Sequence, residues 1–148
     1  MAKKQEYESS IIQSHLNIIQ SIIERMSTNS ASSKTWCITI VSAILVLIAD
    51  KGQSQYALIA IIPTFLFLFL DAYYLGLEKG FRSSYDNFLI KWDKHTIENR
   101  DLFWTKPEGN RFLYFLQALK SFSVWPFYTT LIGMIIASKY LIIEIKGA

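Results

Sequence analysis

Protein chemistry needs acids, bases, nucleophiles or metal ligands brought together, and this chain has few to bring. Its 148 residues hold two histidines, His15 and His95, and one cysteine, Cys37. His15 has no second His, Cys or Asp at ligand spacing, so it reads as a packing or surface side chain rather than a metal ligand. No G-x-S-x-G, H-E-x-x-H, P-loop or dinucleotide fingerprint occurs. The expectation is a protein that is not an enzyme and that carries no cofactor or metal. Asp71 is the residue that most invites a function, because it follows fifteen uncharged residues, Tyr56 to Leu70. A carboxylate beside hydrocarbon is costly enough to mark either a partner or a functional group. Two readings stay open: Asp71 anchors a helix at a membrane boundary, hydrated or paired with Lys34, or it handles protons or ions. Lys139 raises the same question in the last apolar run, where its stem can snorkel toward headgroups.

The elements around these residues decide the compartment. Three apolar segments stand out: Thr35 to Ala49, Tyr56 to Leu70, and Val124 to Ile145. With the uncharged serines before it the first can run over 32–50, and the second over 56–77. Each then approaches the roughly 20 residues needed to cross a bilayer. Only Asp50 to Gln55 separates them, so they form an antiparallel hairpin. The third, over 124–145, is long enough to span but carries Lys139 and Glu144. Trp36, Tyr56, Tyr73, Tyr74, Trp125, Tyr128 and Tyr140 lie near the ends of the runs, where amphipathic rings meet headgroups. Charged residues are 18% of the chain, below the roughly 25% of soluble domains. The predicted class is an all-α membrane protein, with the lipid bilayer as its first partner. The net charge of +3 is too small and too scattered for nucleic acid.

The cations give the orientation. Four Lys and Arg precede the first run and eight lie between the second and third, whereas the hairpin loop has only Lys51. This asymmetry places the N-terminus and the middle segment in the cytoplasm of a multi-pass inner-membrane protein. The first 34 residues are too polar for a cleavable signal, so the first span is its own insertion signal.

The cytoplasmic parts read as amphipathic helices. Over 5–26, Ile12, Leu16, Ile19 and Ile23 form one apolar face. The run Ser27 to Ser33 then reads as a linker, with Ser32 or Ser33 capping the first span. The second span continues to about residue 92 with Leu77, Phe81, Tyr85 and Phe88 on one stripe, which the N-terminal helix is expected to cover. Glu78, Arg82 and Asp86 mark a solvated face. Pro107 to Asn110 is a turn signal. The helix expected over 110–122 suits either the membrane interface or the cytoplasmic bundle. Pro63 is expected to kink the second span. Thr129, Gly133 and Ala137 lie at four-residue intervals, a pattern that lets two helices approach closely.

Two stretches resemble a group of small bacterial membrane proteins of unknown function. They are His15-Leu16-x-x-Ile19-Gln20-x-x-Ile23-x-Arg25-Met26 with Lys34-x-Trp36, and Asp71-Ala72-Tyr73-Tyr74-Leu75-x-x-Glu78 with Phe81-Arg82 and Tyr85-Asp86. The arrangement of a helix, a two-span hairpin and cytoplasmic helices is similar to SLATT-type membrane effectors of nucleotide-signalling antiphage systems. That resemblance implies a homo-oligomer that conducts ions or disrupts the bilayer when triggered, with activity dependent on Asp71, and a nucleotide-signalling system as its partner. The reading from a different class is a membrane-anchored adaptor whose cytoplasmic helices hold a protein partner.

Overall fold

The computed structural model gives residues 2–147, with side chains for all of these but 2–9, 99 and 142–147. The chain is all-helical, and no strand occurs among the described residues. Its elements are α1 (Ala2–Lys51), a 3-10 segment (Ser54–Ala60), α2 (Ile61–Asp93), α3 (Asn99–Phe103), α4 (Arg111–Leu119) and α5 (Trp125–Gly147). The side chains of Ile142, Ile143, Glu144 and Ile145, which end the expected third run, lie outside the described residues.

The linker expected at Ser27 to Ser33 does not exist, and neither does a cap at Ser32 or Ser33: α1 is one helix of 50 residues. Low helix propensity there is overridden by packing. Ser30, Ser33 and Cys37 are buried, so these small residues form the face on which α2 approaches. The Ser33 hydroxyl donates back to the Asn29 carbonyl at 2.9 Å, and that of Thr39 to Thr35 at 2.9 Å, which absorbs hydroxyls that would otherwise compete with the helix. The seam repeats every eleven residues: His15, Met26, Cys37 and Ile48 on one row, and Ile19, Ser30 and Val41 on the next. That spacing, about 3.67 residues per turn, keeps a long helix on one partner with a slight right-handed supercoil.

A Schellman turn ends α1. Gly52 has φ +61°, its N–H donates to the Ala49 carbonyl at 3.1 Å, and Gln53 N–H reaches the Ile48 carbonyl at 3.3 Å. Only a residue without Cβ adopts this conformation cheaply, which makes the hairpin tip two residues long. The 3-10 segment follows, and Pro63 falls in the first turn of α2. There, at the junction of the 3-10 segment with the α-helix, a proline costs less than in an α-helix interior.

Two helices among the described residues are long and apolar enough to cross a membrane, Ser10–Lys51 and Ser54–Asp93. Only 17% and 22% of their apolar windows are buried inside the molecule, whereas the core helix of a soluble protein is mostly buried. Ile62, Phe65, Leu66 and Phe69 on α2, and Val46 and Leu47 on α1, all face outward. The inner core joins Cys37 and Val41 of α1, Ala60, Val124, and Tyr128, Leu131 and Ile135 of α5. Thus α5 packs against α1, α2 and the 3-10 segment.

Beyond the core, α1 and α2 stay together. Ile19 is 2% exposed, and Ile12, Leu16, Ile23, Leu77, Phe81 and Tyr85 are half-buried. The His15 and Phe88 rings meet at a tilt of 41° with centroids 4.6 Å apart, and Gln20 donates to the Tyr85 hydroxyl at 3.2 Å. Ile19→Asp is expected to destabilise by more than the roughly 1.5–3 kcal/mol of one buried aliphatic side chain, because it also buries an unpaired charge. Thermal unfolding in detergent checks this, and an unchanged Tm would show the face to be free.

The expected solvated face on α2 needs correction at Glu78, which is 8% exposed and held by Arg82 at 2.8 Å. It lies seven residues from Asp71 and so on the same face. The small residues Ala72, Gly76, Gly80 and Ser84, four apart, are also buried. A Cβ on Gly76 would stand 3.2 Å from the Phe115 backbone, and one on Gly80 would stand 2.8 Å from Pro107. This stripe is what brings α4 and the segment before it onto α2. Asn110 caps α4, its side chain accepting from the Phe112 and Leu113 amides at 3.0 and 3.2 Å. Phe115 meets Phe69 at 5.1 Å while Phe112 and Leu113 face outward. One face of α4 therefore packs on α2, and the other stays free.

Residues 99–108 form an arch pinned to α2 at both ends. At one end Lys91 Nζ binds Asp101 Oδ1 at 2.9 Å. At the other, the Ser84 hydroxyl donates to the Lys106 carbonyl at 2.6 Å and accepts from the Glu108 amide at 3.0 Å. Lys91 and the Glu98 amide hold the Asp101 carboxyl below the usual carboxylate range, and Asp101 in turn raises Lys91. A depressed carboxylate stabilises the fold above its unfolded pKa, and that contribution is lost as pH falls through the folded value. A raised ammonium stabilises below its unfolded pKa, and its contribution is lost as pH rises through the folded value. The pin should therefore be indifferent to pH between about 4 and 10 and open in acid. Trp104 fluorescence, with the other tryptophans replaced by Phe, reads this, and a midpoint near neutrality would contradict it.

Candidate functional site

Asp71 is fully buried. Counting about 2.0 Å per residue through the 3-10 segment and about 1.5 Å through α2, it lies roughly 29 Å from Ser54. Lys34 lies about 26 Å back along α1 from Lys51. Both stand near one hydrocarbon thickness from the hairpin tip.

Lys34 is the partner of Asp71: its Nζ lies 2.7 Å from Oδ2, with the lysine side chain 19% exposed and the aspartate 0%. Oδ2 has this ion pair and no further hydrogen bond among the described residues. The other oxygen, Oδ1, accepts from the Ser30 hydroxyl, and Lys34 is 3.4 Å from the same hydroxyl. The third wall is α5. Tyr128 is 1% exposed, its hydroxyl interacts with Asp71, and it meets no partner at hydrogen-bonding geometry. Cys37 and Thr64 complete the cluster: the thiol interacts with the Thr64 hydroxyl, which donates to the Ala60 carbonyl at 2.8 Å.

The arrangement places one ion pair and a tyrosine where three helices meet. A buried pair of this kind gains little net stability, because desolvation offsets much of its attraction. It lies at one register of the hairpin, with Ser30 and Lys34 of α1 opposite Asp71 of α2. Asp71 is thus enclosed within the chain, between α1, α2 and α5.

The other residues singled out in the sequence do not join it. Lys139 is half-buried on α5, eleven residues past Tyr128, and makes no ion pair among the described residues. Thr129, Gly133 and Ala137 face away from the bundle, and a Cβ on Gly133 would meet nothing within 4 Å. Ile12, Leu16, Ile19, Ile23, Phe81 and Tyr85 belong to the seam beyond the pair. Sequence reasoning missed Ser30, for which the eleven-residue row through Ile19, Ser30 and Val41 was the available signal. Tyr128, expected among the rings at the headgroups, is instead buried in the core at 1% exposure. Among the described residues no group of three or more His, Cys, Asp or Glu could hold a metal ion. Comparison with protein-family models, curated proteins and solved structures gives no match.

Proposed function

We propose that the chain is a multi-pass protein of a bacterial cytoplasmic membrane, N-terminus inside, that acts as an oligomeric effector in antiviral defence. Its assembly conducts ions or disrupts the bilayer once the cytoplasmic half is triggered. The observation that carries this reading is continuity: α1 and α2 run unbroken from the apolar hairpin into the polar half of the molecule. A flexible tether between the halves would suit an adaptor that only holds a partner near the membrane. A stiff helix pair, about 75 Å long on the α1 side, passes a displacement at one end to the other. In this reading α5 is a third span, supported by its 23 residues and its packing along the hairpin. The outward row Thr129, Gly133 and Ala137 is the contact between protomers. Activity depends on Asp71 because it sets the hairpin register.

Induced expression with a membrane-potential dye, read beside the oligomeric mass in an uncharged detergent, tests the reading. Depolarisation together with a mass of several chains is the expected result. A monomer, or no depolarisation with the trigger supplied, would favour the adaptor.

A further inference from the structure

From Gly109 to Ile143 the chain holds no Asp or Glu. Within that stretch Arg111 and Lys120 stand at the two ends of α4, both exposed and in no ion pair among the described residues. Between them Phe112, Leu113 and Leu116 face outward, and Phe122 just beyond is 85% exposed. The side of α4 turned away from α2 is therefore apolar, with a cation at each end.

The packing of α4 gives its depth. The Phe115 ring meets that of Phe69 at 5.1 Å, and its backbone closes on Gly76. At about 1.5 Å per residue along α2, Phe69 and Gly76 lie roughly 26 and 37 Å from Ser54. These depths bracket the edge of a hydrocarbon core of about 30 Å. The outward row Ile62, Phe65, Leu66 and Phe69 of α2 ends at the same level, so the free side of α4 continues the apolar surface of the hairpin. The nearby carboxylates are engaged elsewhere. Asp71 is held by Lys34 and Glu78 by Arg82. Glu108 accepts from Asn87, a residue roughly 16 Å farther along α2 than Gly76. An apolar face at headgroup level, flanked by two cations with no acid to neutralise them, is complementary to anionic lipid.

We propose that α4 seats anionic phospholipids of the cytoplasmic leaflet, with Phe112, Leu116 and Phe122 among their acyl chains. Arg111 and Lys120, about 14 Å apart along the helix, meet separate headgroup phosphates. The proposal rests on the reading that the hairpin crosses the membrane and goes beyond it in naming the lipid.

The test uses the full chain in vesicles of equal parts phosphatidylcholine and phosphatidylglycerol, one of the two lipids brominated in its acyl chains as a quencher. Two reporters are made with the four native tryptophans replaced by Phe: Phe112→Trp on α4 and Val46→Trp on the outward side of α1. One basic side chain near anionic headgroups is worth about a fivefold preference. The Phe112→Trp reporter should therefore be quenched at least about twofold more by brominated phosphatidylglycerol than by brominated phosphatidylcholine. The Val46→Trp reporter should be quenched alike by both. Adding Arg111→Gln with Lys120→Gln should bring the ratio at α4 to about one, since no basic side chain then flanks the face. Lys94→Gln with Arg100→Gln removes the same charge beyond the far end of α2 and should leave that ratio unchanged. Equal quenching by the two lipids at α4 overturns the proposal, as does an equal effect of the two charge-removing pairs. Quenching of Val46→Trp with none of Phe112→Trp overturns it while leaving the membrane reading in place. No quenching of either reporter overturns both.

Discussion

Lys34→Met is expected to destabilise the bundle by about 3–5 kcal/mol, because it strands a carboxylate that has no exposure of its own. Asp71→Asn should be milder, about 1–2 kcal/mol. The amide still accepts from Ser30, and the freed lysine, already 19% exposed, can extend toward water or headgroups. The pair Lys34→Met with Asp71→Leu should recover much of the single loss, since no buried charge remains. Chemical unfolding of the unsubstituted protein and the three variants in one detergent measures these losses. Equal losses for the two single variants, or a larger one for Asp71→Asn, would mean that the pair is hydrated and that register is set elsewhere.

The second large effect concerns the stretch that reads as a linker. Ala31 is exposed in the middle of α1, so Ala31→Pro disturbs the backbone and little else. A proline there removes one helical hydrogen bond and clashes with the preceding turn, which costs about 3 kcal/mol or more. In the proposed effector it also cuts the connection between the halves. Depolarisation should then be lost at matched protein levels while membrane insertion persists. A true linker would accept proline with no change in Tm, and unchanged depolarisation would show that the halves need no stiff connection.

These two predictions sit where sequence and structure part. The apolar runs, the hairpin and the stripe through Ile12, Leu16, Ile19 and Ile23 are legible because each is a local pattern of burial at helical spacing. Ser27 to Ser33 misleads because propensity and capping are local, whereas the reason for helix there is Asp71, some forty residues away in sequence. Glu78 misleads in the same way. Its i,i+4 partner Arg82 suggests a solvated face, and only the packing of α1 and α4 around α2 covers it. Pro63 was legible as a helix residue but not as the first turn, because the 3-10 segment before it has no sequence mark beyond its length. Of the candidate site, Asp71 and Lys34 could be read from charge at equal depth. Tyr128 could not, since its place depends on how α5 returns to the hairpin.

Everything proposed about function depends on the hairpin crossing the membrane with its tip outside and the continuation of α2 inside. Gln53 is exposed at the tip and Asp86 is exposed on that continuation. In a Cys37→Ser background, a single cysteine at each position and a membrane-impermeant maleimide test this directly. Gln53→Cys should react in intact cells, and Asp86→Cys only after permeabilisation. Gln53→Cys silent until lysis, or Asp86→Cys reactive in intact cells, would contradict the account.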